Sequence, residues 1–157
     1  MNNEKILKKI YKTISENRDE DDFEVMLVSA EESGLETMVL TTLHHGFGMD
    51  AGLAEGEFYF DEDTFIARVL LVPELDPDII PELCILISLV NATTQAGCFE
   101  YDEYENALAY SLKTPIVKGL SEKEMAELCD RLVAVALSVS EQNCRVLMEF
   151  AISGRGI

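Results

Sequence analysis

The sequence predicts an α+β fold: one antiparallel sheet of about six strands, with an N-terminal helix, a buried middle helix and a long C-terminal helix packed on it in two layers. Three observations predict it. Short runs rich in Val, Leu, Phe and Thr are separated by acidic or Gly-containing turns, the pattern of antiparallel hairpins. Three further segments carry apolar residues at helical spacing. Finally, the chain repeats itself: Gly56-Glu57-Phe58-Tyr59-Phe60-Asp61-Glu62 returns as Gly97-Cys98-Phe99-Glu100-Tyr101-Asp102-Glu103.

The first helix is read from Ile6, Leu7, Ile10, Tyr11 and Ile14, with Lys5, Lys8, Lys9 and Lys12 mostly off that stripe. An acidic stretch, 16–22, reads as a solvated connector. Phe23 to Ala30 and Leu35 to Leu43 read as a hairpin around Glu31-Glu32-Ser33-Gly34. His44 to Gly56 holds four glycines, yet it has no Gly-Lys-Ser/Thr, and its glycines miss the dinucleotide-binding spacing by one residue. It is expected to be a mobile connection.

The first repeat unit, 56–96, reads as two strands turning at Asp61-Glu62-Asp63, then a helix with Asp76 as N-cap and Pro77 at its first position. That helix is apolar over most of its circumference from Ile79 to Val90, so it is expected to be buried on all sides, covered by a second element or a second subunit. The second unit, 97–150, turns at Asp102-Glu103-Tyr104-Glu105. Its helix starts at the capping box Ser121/Glu124, flanked by Leu120 and Met125. Glu82-Leu83-Cys84 and Glu127-Leu128-Cys129 mark the two helices, and Gly154 and Gly156 let the end fray. The whole chain, 1–157, reads as a single domain.

A chain of 157 residues with 48% hydrophobic residues can bury a full core. Thirty acidic against twelve basic side chains give a net charge of −18. Such a field repels phosphate backbones and anionic lipid surfaces, so neither nucleic acid nor membrane is an expected partner. The apolar run Ile79 to Val90 is too short to span a bilayer. The start, Met1 to Lys5, leads into an amphipathic pattern instead of a signal segment, and the cysteines Cys84, Cys98, Cys129 and Cys144 lack C-x-x-C spacing. They are expected to be free, buried thiols in a reducing cytoplasm.

Chemistry-bearing groups are sparse. Asp61, Glu62 and Asp63 with Asp102, Glu103 and Glu105 would offer oxygen ligands to Ca²⁺ or Mg²⁺ if the two hairpin tips were neighbours, but no EF-hand loop is present, and acidic residues favour turns in any case. His44-His45 lacks zinc-ligand companions, and no nucleophile elbow occurs. No metal, cofactor or catalytic residue is expected. An interaction surface is the better expectation, formed by Leu86, Leu89, Val90, Asn91 and Thr94 on the middle helix and Phe99, Tyr101 and Tyr110 on the strands that follow.

Leu83-Cys84 through Asn91-Ala92-Thr93-Thr94, then Gly97 to Asp102, Ala107 to Leu112 and Gly119 to Met125, occur in an order similar to the YbjN-like family of bacterial proteins, which share the type III secretion chaperone-like fold. The resemblance covers roughly 56–150 and leaves out Phe23 to Gly56. It implies a small, acidic, homodimeric and non-enzymatic protein that binds a partner polypeptide. An acidic immunity-type protein neutralising a basic toxin is the alternative, and a metal-dependent enzyme at the acidic tips a more distant one.

Overall fold

The computed structural model describes residues 2–17 and 23–153. The predicted connector at 16–22 lies mostly outside these residues, as do Gly154 and Gly156. Helix α1 (Asn3–Asn17) leads into β1 (Glu24–Val28), a single helical turn α2 (Ala30–Ser33), and the strands β2 (Val39–His45), β3 (Leu53–Asp61) and β4 (Thr64–Val72). A 3₁₀ turn (Pro77–Ile79) then opens α3 (Ile80–Asn91). Strands β5 (Cys98–Asp102) and β6 (Ala107–Pro115) and helices α4 (Glu122–Asn143) and α5 (Arg145–Ser153) complete the chain.

The strands form one antiparallel sheet in the order β1-β2-β3-β4-β6-β5. This is the α+β arrangement read from the sequence. The two hairpins of the repeat meet at β4 and β6, so each contributes its second strand to the middle. Their turns differ in length: Glu62-Asp63 closes the first, and residues 103–106 close the second.

Alternation decides what each strand buries. One face carries Leu27, Leu40, Phe58, Ala67 and Leu112 in one row and Val25, Thr42, Gly56, Val69, Tyr110 and Phe99 in the next. These rows meet Ile6, Leu7 and Ile10 of α1, Leu83 and Ile87 of α3, Met125, Cys129 and Val133 of α4, and Leu147 of α5 in a single core. Each large side chain sealed there, such as Phe58 or Phe65, contributes about 1.5–3 kcal/mol by leaving water. Gly56 sits where that packing is tightest. A Cβ at this position would collide with the Thr42 hydroxyl and the Phe58 ring.

Local signals that involve caps hold. Asp76 accepts from the Asp78 amide, and Ser121 and Glu124 exchange both hydrogen bonds of a capping box. Four expectations need correction. The 31–34 connection contains the α2 turn, with Ser29 as its N-cap and Gly34 in the left-handed conformation, so the flanking strands are shorter. Within one chain helix α3 is not buried all round: Leu83 and Ile87 face the core, while Ile85 and Leu89 are 63% and 64% exposed and no second element covers them. An apolar composition hid a one-sided stripe, because the sheet offers α3 only one supporting surface. Consequently Cys84 is exposed, and Cys98 is too, whereas Cys129 and Cys144 are buried. Finally, the glycine loop is firmly seated. Gly46 and Phe47 donate to the Gly52 carbonyl, Phe47 is buried, and the Gly48 amide donates to Glu141 of α4. No room remains for a side chain at Gly48, where the Cys144 sulfur already lies.

Candidate functional site

The opposite face of the sheet carries none of the four long helices. One row crosses all six strands as Met26, Thr41, Glu57, Arg68, Ser111 and Cys98, and the next as Glu24, Leu43, Glu55, Leu70, Ala109 and Glu100. The sequence positions these groups by simple alternation. In β3, Ala54, Gly56, Phe58 and Phe60 turn inward, which sends Glu55, Glu57, Tyr59 and Asp61 outward.

Arg68 is the centre of this face. Its guanidinium pairs with Glu57 at 3.5 Å, with Glu105 at 3.3 Å and with Asp102. Only 11% of its side chain is exposed. Asp102 also accepts from the Glu105 amide, which curls the β5–β6 turn so that Glu105 reaches back over the sheet. Burial opposes the charge of Arg68, but Glu105, Glu57 and Asp102 outweigh it and push its pKa up. Burial likewise pushes the Glu57 carboxyl above the ordinary carboxylate range; Arg68 opposes that shift, and Glu105, Glu55 and Asp102 add to it. One cation is thus shared among three carboxylates.

Beside this cluster runs a shallow open groove of about 670 Å³ over β1 to β3, walled by α2 and the residues after it. Met26, Val28, Val39 and Leu43 supply apolar surface, and Glu24, Glu32, Glu55, Glu57 and Glu105 line its margins. Among the described residues, no basic side chain lines it. Among the described residues, Glu24, Glu32 and Glu55 take part in no ion pair.

The crystal structure of YbjN, a candidate transcription regulator from E. coli, matches with a TM-score of 0.54 at 9% sequence identity, covering 94% of this chain and 90% of that one. The fold is YbjN-like. At that coverage the likeness extends beyond the 56–150 that carried the sequence resemblance. No protein-family model and no curated protein matches the chain.

On this YbjN-like scaffold, the residues expected to meet a partner fall mostly on the helix-covered side. Phe99 and Tyr110 are core residues with rings 5.3 Å apart, and the Tyr110 hydroxyl donates to the Ala96 carbonyl at 2.6 Å. The Asn91 side chain binds the Phe99 backbone, Thr94 donates to the Val90 carbonyl, and the Tyr101 hydroxyl donates to Asn106. Leu86 and Val90 are half-buried against the core. Leu89 alone of the eight stands clear in solvent.

The remaining candidates separate. The turn at Glu62-Asp63 adjoins Pro115, while the turn at 103–106 adjoins Ala107, so the acidic tips stand at opposite ends of β6, roughly 27 Å apart at strand rise. Among the described residues, no group of three or more His, Cys, Asp or Glu is placed to hold a metal ion, and no helix is long and apolar enough to cross a membrane. His44 faces the core between Phe23 and Phe47, sharing a hydrogen bond with Thr42, and burial lowers its pKa to about 4. His45, one residue on, is exposed.

Sequence reasoning missed the open face itself. Two signals could have found it: the Glu-x-Glu-x-Tyr-x-Asp alternation of residues 55–61, and Arg68 as a lone charge inside an apolar strand.

Proposed function

We propose that this protein is a non-catalytic binding and regulatory module that receives a partner polypeptide on the open face of its sheet. The observation that carries this reading is the continuous six-strand surface that no long helix covers, grooved and apolar at one end and acidic around it. An uncovered sheet face of this kind suits an extended or helical segment of another chain. The YbjN-like fold supports the regulatory half of the proposal, since YbjN is itself a candidate transcription regulator. A cytoplasmic bacterial setting, with secretion-chaperone-like handling of a partner, belongs to the same proposal, as does self-pairing through the exposed Ile85 and Leu89 stripe of α3.

The test is affinity capture from native lysate with the wild-type chain and with Met26→Asp. A partner retained by the first and lost by the second supports the reading; a partner set unchanged by the substitution removes it. Size-exclusion chromatography with light scattering, comparing the wild type with Ile85→Asp/Leu89→Asp, separately tests self-pairing, which predicts a dimer that the double variant dissolves. The alternative of an acidic protein that neutralises a basic toxin draws on the carboxylate-lined groove, and it would show as a single strongly basic protein in that capture.

A further inference from the structure

The groove over β1 to β3 holds two properties together. Its floor is apolar, with Met26 60% exposed beside Val28 and Leu43 and with Leu35 45% exposed at its wall, a contiguous patch instead of a lone exposed side chain. Its margins are anionic and only partly compensated: Glu24, Glu32 and Glu55 have no cationic partner among the described residues, and Glu57 and Glu105 share one guanidinium with Asp102. An apolar floor alone would accept any greasy segment. The carboxylates select among them, because an acidic or neutral segment would leave these charges desolvated and unpaired.

We infer that the groove seats a cationic polypeptide segment that lays aliphatic side chains on Met26, Val28 and Leu43 and gives Lys or Arg to Glu24, Glu55 and Glu57. This rests on the binding-module reading and names the partner's chemistry. Glu57 and Glu105 make the site sensitive to a guanidinium, since both line the groove and both hold Arg68. An incoming Arg would share these carboxylates while Asp102 keeps Arg68 in place. The groove is open along its length, which fits a chain segment better than a compact small molecule.

The test uses the full chain and three short synthetic peptides, alternating Lys with Leu, Lys with Ser, and Glu with Leu, followed by calorimetry and backbone amide NMR. The Lys–Leu peptide is expected to bind, to perturb amides of β1 to β3, and to weaken about tenfold in Glu24→Gln/Glu55→Gln and again in Met26→Ser. A matched control, Glu82→Gln/Glu127→Gln, removes the same charge from the exposed helical side and is expected to leave affinity within about twofold. Equal loss in that control would mean that only the overall field attracts the peptide, and the inference falls. It also falls if Lys–Ser binds as well as Lys–Leu, or if a second copy of this chain occupies the groove. If Glu–Leu alone perturbs β1 to β3, the inference falls and the binding-module reading stands. If no peptide perturbs the open face, both fall.

Discussion

The side chain of Asn91 holds both backbone groups of Phe99: its amide donates to the Phe99 carbonyl at 3.0 Å, and its oxygen accepts from the Phe99 N–H at 2.8 Å. Phe99 lies on β5, an edge strand, so the last turn of α3 stands in for a neighbouring strand there. Edge groups left bare invite pairing with other chains, and this contact closes one such position.

Replacing Asn91 with Ala is therefore expected to destabilise the fold by about 1–3 kcal/mol, read from urea unfolding. Asn91→Asp keeps the acceptor for the Phe99 N–H but loses the donor, and should fall between the two. Equal stability of all three proteins would mean that the contact is incidental.

Two glycines of similar backbone conformation should respond differently to Ala. Gly34 and Gly97 have φ of 75° and 68°. Nothing lies near a Cβ on Gly34, whereas on Gly97 it would meet the Tyr110 hydroxyl and the Ser111 carbonyl. Gly34→Ala should destabilise by about 1 kcal/mol through strain alone, and Gly97→Ala by about 3 kcal/mol because backbone must also move. Thermal unfolding of the pair checks the order.

His44 should make stability fall in mild acid. Its folded pKa, about 4, lies below the unfolded value of 6.5. Below pH 6.5 the unfolded chain takes up a proton that folded His44 refuses, so the stability from the neutral ring is complete above 6.5 and lost as pH drops toward 4. The upper limit is about 3 kcal/mol. His44→Gln should lack this component, so the difference between the two pH–stability curves is the measurement.

Arg68→Met removes the cation shared by Glu57, Asp102 and Glu105. At neutral pH a loss of about 1–3 kcal/mol is expected, because two half-buried carboxylates and the exposed Glu105 are left facing one another. Glu57 already titrates above its ordinary range, so folded protein binds its proton more readily than unfolded protein. The variant's deficit should therefore shrink as pH falls through that raised value. Adding Glu57→Gln should restore part of the stability at neutral pH.

How much was legible from residues follows from where each decision is made. The capping box at Ser121 and Glu124 is a four-residue event, and it reads directly. The inward alternation of β3 is likewise local. The exposure of Ile85 was illegible, since composition cannot say how many sides of α3 the sheet will support. The surface expected at Phe99, Tyr101 and Tyr110 was drawn from residue type. Tertiary pairing put Phe99 and Tyr110 against the helices, and left Arg68 and its carboxylates, on alternate positions, on the opposite face of the sheet. The acidic tips were equally ambiguous, because pairing β4 with β6 sends the two turns to opposite ends.

Since the long helices all pack on one face, the six strands separate two sets of positions that change independently. Phe58 cannot vary without disturbing α-helical neighbours, whereas Glu24, Met26, Thr41 and Glu55 touch nothing that keeps the chain folded on the far side. A lineage carrying this domain could rewrite those four side chains and so change the chemistry of the open face, with the folded frame passed on intact.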